Sequence, residues 1–196
     1  MPRALREQQI LDVAGPVFAG GGYHAASMDE IAARAGVSKP MLYTYFGSKE
    51  GLYFAYIHRT GRELLDRLLA AGGPSDPPLA RLRLRISEFF AFVEQHRDGW
   101  RVLFGEVTSN RPLAEEVAEL RRRIAETVRR MLESSLPENA DVPWALSDGI
   151  AHAIVGAGES LANWWLEHPE VSREEVVDLY VGVVQAAAPA APRGVR

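Results

Sequence analysis

The chain has 196 residues, of which 47% are hydrophobic and 24% charged, and its formal net charge is −4. These proportions are ordinary for a globular protein, and the acidic balance excludes a chain that is basic all over while leaving room for a local basic surface. Cysteine is absent, which excludes disulfides and thiolate metal sites.

The N-terminal segment, residues 1–7, is charged where a signal peptide would become apolar. No apolar run approaches the roughly 18 residues that a membrane span needs, so we expect a cytoplasmic protein. Apolar residues at helical spacing predict a first helix that ends at Gly20–Gly22. Gly15 and Pro16 lie inside it, and because an interior proline costs about 3 kcal/mol, we expect a kink there.

A short second helix is predicted after Ser27. The sequence Ser27-Met28-Asp29-Glu30 is a capping box, in which the Ser27 hydroxyl accepts a hydrogen bond from one free N–H and Glu30 reaches back to another. Gly36 ends this helix. Ala32 and Gly36 are small at the two positions where a helix-turn-helix needs close helix approach and a tight turn.

A third helix of about eight residues is predicted between Ser38, its N-cap, and Gly47, its stop. Pro40 lies in the first turn, where its missing N–H costs nothing. At about 100° per residue, Leu42 and Phe46 point the same way and are expected to be the buried side. A helix this short is stable only when it is packed against the rest of the protein.

The opposite face of the third helix has the composition of a surface that reads DNA. Thr44 points outward between Tyr43 and Tyr45, and in a major groove such a helix brings short side chains to base edges and tyrosine hydroxyls to phosphates. Lys39 and Lys49, the only lysines in the chain, stand at the starts of two successive helices. Half-buried aromatic residues and solvated lysines would be an equal explanation for this stretch alone, but the capped helix and tight turn before it favour DNA binding.

Helical spacing continues through the rest of the chain. A long helix follows Ser48, and the segment Gly72–Pro78 is the clearest break. Further helices are predicted near residues 79–93, 100–107, 113–131, 143–168 and 172–188. Because no alternating strand pattern is present, the predicted fold is all-α with about nine helices.

Small residues are frequent in the helix predicted at 143–168, and among them are Gly149, Ala153 and Gly156. Each interior glycine costs about 1 kcal/mol relative to alanine, so something must compensate. One explanation is close approach of a second copy, with a partner face formed by Val177, Tyr180, Val181 and Val184. The other explanation is a break in the helix beside a ligand cavity.

Aromatic side chains of the second half are candidates for the wall of a ligand pocket. With one histidine they are Phe89, Trp100, Phe104, His152, Trp164 and Trp165. The adjacent Trp164 and Trp165 cannot face the same way, so one is expected inside and the other at a cavity or subunit seam. Such stripes are also typical of ordinary core. If they form a pocket, it suits hydrophobic or flat ligands.

The stretch GYHAASMDEIAARAGVSKPMLYTYFGSKEGL, Gly22 to Leu52, resembles the N-terminal signature of TetR-type (tetracycline-repressor-like) transcriptional regulators of bacteria. The resemblance implies a homodimer with a three-helix DNA-binding head at residues 1–47 and a larger helical domain at 48–196 for ligand binding and dimerisation. Within the larger domain, residues 48–71 would be a connecting helix and 189–196 a loose tail. The family's usual dimer contact is made by the last two helices.

The resemblance also assigns roles in the head. Phosphate contacts would be made by Ser27, Tyr43 and Lys49. Residues at or near base edges would be Ser38, Lys39, Pro40, Met41, Thr44 and Tyr45. Two departures from the family pattern are Ala26, where a second hydroxyl is common, and Gly15–Pro16, where the first helix is usually regular.

Charge in the head is balanced. Residues 1–50 contain five basic and five acidic side chains, so few phosphates are neutralised and a shallow dependence of DNA affinity on salt is expected. We expect Lys49→Ala to weaken binding to all sequences about equally. Substitutions of Thr44 or Lys39 should change sequence preference instead.

The sequence lacks the motifs of the main enzyme classes that use helical bundles or short loop signatures. A di-metal helical-bundle enzyme needs Glu-x-x-His pairs, and no histidine of this chain has a glutamate three residues before it. Zinc-protease, P-loop and nucleophile-elbow motifs are also missing. The sequence therefore predicts a ligand-responsive regulator, most simply a repressor on a near-palindromic operator, with no cofactor or metal and no catalysis. A helical-bundle enzyme and an effector-independent DNA-binding protein are the alternatives.

Overall fold

A computed structural model of the chain describes residues 2–73, 75–97, 99–100, 111–136 and 141–187. These ranges contain eight helices and no strand, which confirms the all-α prediction. The helices are α1 (Arg3–Ala25), α2 (Met28–Ala35), α3 (Lys39–Phe46), α4 (Lys49–Ala70), α5 (Pro78–Gln95), α6 (Arg111–Glu133), α7 (Trp144–Glu167) and α8 (Arg173–Ala187). The short helix predicted near 100–107 falls mainly on residues 101–110, and the predicted tail 189–196 also lies outside the described residues.

The first helix keeps helical backbone angles through Gly15 and Pro16. Its non-helical residue is Gly22, with φ 71° and ψ 172°, so the irregularity expected at the proline lies instead in the glycine run. Gly15 has a packing reason to be small, because a Cβ there would lie 2.6 Å from Cε2 of the Tyr56 ring. The helix thus stays regular where α4 packs on it and breaks where glycine tolerates a positive φ.

The first of two compact units comprises Met1–Leu64 and Gln95–Leu120. Its core is made of apolar side chains with at most 1% exposure, including Ile10, Phe18, Ile31, Leu42, Leu52 and Ile57. Polar contacts reinforce this packing: Arg59 pairs with Asp12 at 2.6 Å, and His58 lies 2.7 Å from the Glu116 carboxylate.

The second compact unit comprises Leu65–Glu94 and Arg121–Arg196. The Phe90 ring is fully buried and meets Trp165 and Tyr180 edge-on, at centroid distances of 5.5 and 5.9 Å. Around this aromatic cluster, Arg83 pairs with Asp178 and joins α5 to α8. The domain division predicted from the sequence, 1–47 and 48–196, remains a prediction.

Among the described helices, none has the length and apolar character that crossing a membrane would require.

Candidate nucleic-acid interface

The turn between α2 and α3 has the geometry of a helix-turn-helix. Gly36 adopts a left-handed conformation with φ 64° and ψ 34°, and its N–H donates to the carbonyls of Ala32 and Ala33. Val37 N–H also donates to the Ala32 carbonyl, at 3.0 Å. A non-glycine residue would be strained at that φ, so glycine is required at position 36 by the conformation of the turn. Ala32 is buried, as the predicted close approach requires.

Serine caps begin the two helices of this motif. The Ser27 hydroxyl accepts from the N–H groups of Asp29 and Glu30, at 3.2 and 3.4 Å. The Ser38 hydroxyl accepts from Met41 N–H at 3.4 Å. The Glu30 carboxylate, however, pairs with Arg34 at 2.6 Å and not with the free N–H that the capping box predicted. A salt bridge one turn along the helix has therefore replaced the reciprocal half of the capping box.

The exposed face of α3 is formed as the helical indexing predicts. Leu42 is fully buried, whereas Tyr43 is 42% exposed, and Thr44 also faces solvent. The Thr44 hydroxyl donates to the Pro40 carbonyl at 3.0 Å, so its oxygen keeps acceptor capacity and its methyl remains available for apolar contact. Phe46 differs from the prediction, because it is only half-buried, with its ring 6.2 Å from that of Tyr45.

Pro40 and Met41 complete this face. Both are exposed at the N-terminal end of α3, with Met41 at 37% exposure. Tyr45, predicted on one flank, is half-buried. The face therefore has a low centre at Thr44 with taller side chains on either side.

Both lysine ammonium groups make hydrogen bonds within the protein. Lys39 donates to the Asp29 carboxylate at 2.8 Å, and this hydrogen bond, followed by the charge of Asp29, raises the pKa of Lys39. Asp29 was missed as a site residue because it lies ten positions away on another helix. No local sequence pattern predicts an ion pair between residues on two different helices.

Lys49 is half-buried and fastens the end of α1 to the start of α4. Its ammonium donates to the His24 carbonyl at 2.9 Å and lies 4.8 Å from the centroid of the Tyr23 ring. Burial lowers the pKa of Lys49. A phosphate contact by Lys49 would therefore share this ammonium with the carbonyl, and the role implied by the family resemblance remains a prediction.

The pocket predicted from six residues of the second half remains a prediction, and its described members are taken here one by one. Phe89 and Trp165 both adjoin Phe90 in the second unit, where Trp165 Nε1 donates to the Val171 carbonyl at 2.8 Å. Trp100 is buried in the first unit. Phe104 lies outside the described residues.

The remaining two candidates, His152 and Trp164, are exposed on α7. Trp164 is 40% exposed and stacks on His168 with ring centroids 4.4 Å apart. His152 lies 3.9 Å from the Asp148 carboxylate. The expectation that the two adjacent tryptophans diverge is met, with Trp165 inside and Trp164 outside.

The seven dimer candidates divide into two groups. Gly149, Ala153 and Gly156 are exposed on α7, and a Cβ on either glycine would meet nothing within 4 Å. In contrast, the four residues of α8 are buried within the subunit: Val177, Tyr180, Val181 and Val184. They fill the subunit's own core, so they are not a face that a second copy could reach.

A serine-capped helix-turn-helix that is packed on one side and presents short polar and tyrosine side chains on the other is typical of a helical DNA-binding protein. The comparison with known families agrees with this class. Residues 10–56 match the family described as bacterial regulatory proteins, tetR family, and residues 78–187 match the tetracyclin repressor-like C-terminal domain. The chain belongs to the TetR family of transcriptional regulators, as the resemblance in its N-terminal signature predicted.

Individual relatives agree over most of the chain. The HTH-type transcriptional activator FasR of Mycolicibacterium smegmatis is 32% identical over 188 residues, which cover 95% of this chain and 83% of FasR. A TetR-like transcriptional regulator from Rhodococcus sp. RHA1 is 38% identical, with a TM-score of 0.76 over 96% of this chain and all of that one.

A more distant structural neighbour was solved with a ligand. FadR from Bacillus subtilis, in complex with stearoyl-CoA, has a TM-score of 0.74 over 96% of this chain and 99% of its own. At 20% identity this likeness concerns the fold alone.

Proposed function

We propose that this chain is a ligand-responsive transcriptional regulator that binds a near-palindromic operator as a dimer. It regulates by binding DNA and effector and catalyses no reaction. The observation that carries the proposal is the outward face of α3, with Thr44 exposed between Tyr43 and Tyr45 and Leu42 buried behind it. A short helix anchored from behind and polar in front suits the major groove, where short side chains can approach base edges.

On the operator, backbone contacts fix the position of the head and base contacts supply sequence preference. We assign the phosphates to Ser27, Tyr43 and Lys49. We assign the base edges to residues of α3 and its N-cap, namely Ser38, Lys39, Pro40, Met41, Thr44 and Tyr45. Lys39 must release or share Asp29 when it reaches a base, so its contribution to affinity is the difference between these two partners.

For the dimer we propose a contact that uses the exposed faces of α7 and α8. On α7 the exposed apolar side chain Leu146 precedes Gly149, Ala153 and Gly156 at helical spacing. On α8 the exposed apolar side chains are Leu179 and Val183, at 51% and 43% exposure. Small residues on α7 allow the helices of two copies to approach closely, while leucine and valine supply the apolar area that such contacts bury.

The proposed dimer gives the DNA-binding mode its geometry. Two recognition helices related by a twofold axis read successive major grooves about 34–36 Å apart, and the operator is then near-palindromic. An effector changes operator affinity only to the extent that it prefers one separation of the heads over another. Helix α4 starts beside the recognition helix and runs unbroken for 22 residues, which makes it the natural lever.

For the effector we propose a small apolar or aromatic molecule. The support is the aromatic cluster of the second unit, where the half-buried Phe89 ring adjoins Phe90 and Tyr180, at centroid distances of 4.9 and 6.4 Å. Because the FadR neighbour holds stearoyl-CoA, long-chain acyl thioesters are a sensible first set of probes. The sign of regulation depends on where the operator lies relative to the promoter. Family habit favours repression, whereas the relative from M. smegmatis is named an activator.

Genomic footprinting with the purified full-length chain tests the DNA-binding part of the proposal. We expect protection of a few discrete sites with two half-sites separated by one helical turn, about 10–10.5 base pairs. A triple variant with alanine at positions 43–45 should lose this protection while keeping the helical circular dichroism of the parent. Protection without sequence preference would contradict the proposal. Adding stearoyl-CoA and apolar aromatic molecules to the preformed complex then tests release by an effector.

A further inference from the structure

A basic side chain outside the helix-turn-helix lies beside the recognition helix. The Arg3 guanidinium, at the first residue of α1, lies over the Tyr45 ring at 5.1 Å from its centroid. This is within the range of cation–π contact. Arg3 is nevertheless 68% exposed in its side chain, so the contact holds the guanidinium beside Tyr45 and leaves much of it facing solvent.

The donors of Arg3 are only partly used. Its Nε donates to Glu7 at 2.9 Å, one turn along α1. The Arg3 side chain is 68% exposed. A guanidinium has five N–H donors in a planar fork that suits phosphate oxygens. Arg3 thus has donors to spare at the edge of the α3 face.

The two flanks of the α3 face match each other in chemistry. On one flank Lys39 lies one helical turn before Tyr43, and these positions are neighbours on a helix surface. On the other flank Arg3 lies over Tyr45. Each cation is also held by one carboxylate, Lys39 by Asp29 and Arg3 by Glu7. The α3 face thus has a tyrosine and a cation on each of its two sides, and a helix in the major groove runs between two phosphate backbones.

The position of Arg3 is fixed by the packing of α1. Ile10 and Ala14 of this helix are completely buried. The Gln9 side chain donates to the Ala35 carbonyl at 3.2 Å, which ties the first turns of α1 to the end of α2. Because α1 cannot slide relative to the helix-turn-helix without breaking these contacts, Arg3 stays beside α3.

We propose that Arg3 binds a backbone phosphate of the operator on the Tyr45 side of α3, as a DNA contact outside the helix-turn-helix. The inference rests on the proposed operator binding and adds one phosphate contact per chain to it. In a head with five basic and five acidic residues among its first 50, one further contact is a sizeable share of the electrostatic attraction.

The test uses the full-length chain with any purification tag at the C-terminus. A duplex is first selected by the wild-type chain from a random library, and its affinity and that of a scrambled duplex are measured across a salt series. For Arg3→Ala we expect weaker binding to both duplexes. The slope of log affinity against log salt should be shallower by about 0.9 for each chain bound. Arg3→Lys should recover most of the slope.

The matched control is Arg111→Ala. Arg111 is the first described residue of α6 and, like Arg3, pairs with a glutamate four residues later, Glu115, at 2.8 Å. We expect its salt slope to be that of wild type. Arg3→Ala with an unchanged slope would overturn the inference, as would equal loss in Arg3→Ala and Arg3→Lys, which would make Arg3 a support for Tyr45 only. If the wild-type chain itself selects no duplex, the proposed function is wrong, and this result differs from a failure of the Arg3 contact, in which wild type still selects a duplex.

Discussion

The hydroxyl of Tyr180 lies 2.8 Å from the position that a Cβ on Gly158 would occupy. The same hydroxyl donates to the Ile154 carbonyl, the group that Gly158 N–H would meet in a regular α-helix. Burial raises the pKa of Tyr180, with the Gly158 N–H acting in the opposite direction. Tyr180 of α8 therefore inserts its hydroxyl against the backbone of α7, and glycine leaves room for it.

Gly158→Ala should destabilise the protein. The added methyl meets a buried, hydrogen-bonded hydroxyl, and overpacking of this kind costs about 1–3 kcal/mol, against a gain in helix propensity of about 1 kcal/mol. We expect a net loss of about 1 kcal/mol in the free energy of unfolding, measured by denaturant titration. When Gly158→Ala is combined with Tyr180→Phe, the added methyl no longer meets a hydroxyl, so Gly158→Ala should cost less stability in that background than in wild type.

The control for this prediction is Gly20→Ala. Gly20 is helical in α1 and a Cβ there would meet nothing within 4 Å, so this variant should be as stable as wild type or slightly more stable. Equal effects at the two glycines would show that backbone entropy, and not the contact with Tyr180, decides the outcome.

Ser27 offers a way to separate a helix cap from a phosphate contact. Ser27→Ala removes the acceptor for Asp29 and Glu30 N–H and should cost about 1 kcal/mol of stability. Ser27→Asp keeps a cap but adds a negative charge, so stability should remain near that of wild type. Its DNA affinity should fall below that of Ser27→Ala. Thermal unfolding and duplex titration on the same samples measure both effects. Wild-type affinity in Ser27→Asp would remove Ser27 from the interface.

Gly156→Leu tests the proposed dimer face. Gly156 is exposed and has open space around it, so the bulky side chain should leave the subunit folded while preventing close approach of a second copy. We expect sedimentation velocity to show a shift from dimer to monomer, with unchanged circular dichroism. Gly20→Leu, at an exposed position of α1, is the control and should sediment like wild type. A Gly156→Leu dimer as tight as wild type would count against the proposed contact.

An arginine cluster on α6 predicts an acid-sensitive contribution to stability. Hydrogen bonds from Arg129, and then from Arg130, lower the pKa of Glu126 to about 2 from its ordinary 4.5. Because the folded-state pKa is depressed, the contribution is complete above about pH 4.5 and is lost as the pH falls toward 2. Glu126→Gln should therefore have a lower melting temperature than wild type at pH 7, and the difference should close in this acidic range.

The control for the acid series is Glu115→Gln, which removes one exposed pair with Arg111 and should change the melting temperature less at pH 7. A Glu126 difference that stays constant from pH 7 to pH 2.5 would contradict the linkage.

Local signals in the sequence were sufficient for the helix-turn-helix. The caps at Ser27 and Ser38, the left-handed Gly36 and the buried Leu42 each follow from residues within one or two turns. Contacts between helices could not be found in this way. The pairs of Lys39 with Asp29 and of Arg3 with Tyr45 join residues that only the packed fold brings together.

Helix α8 illustrates a different limit. Its valines at 177, 181 and 184 share a face with Tyr180, and the sequence analysis offered this face to a second copy. The structure buries it in the subunit and leaves Leu179 and Val183 outside. Because α8 is apolar on both sides, helical spacing alone cannot say which side faces the interior. The same holds for Trp164 and Trp165, of which periodicity predicts only that they diverge.

The central claim is that α3 reads base edges through Thr44, and it is tested most directly by selecting duplexes from a random library with three full-length proteins. These are the wild-type chain, Thr44→Val, which keeps the shape and loses the hydroxyl, and Thr44→Ser, which keeps the hydroxyl and loses the methyl. We predict that at least one variant selects a sequence that differs from the wild-type sequence at symmetric positions in both half-sites. Selection of the wild-type sequence by both variants, with wild-type affinity, would contradict the claim.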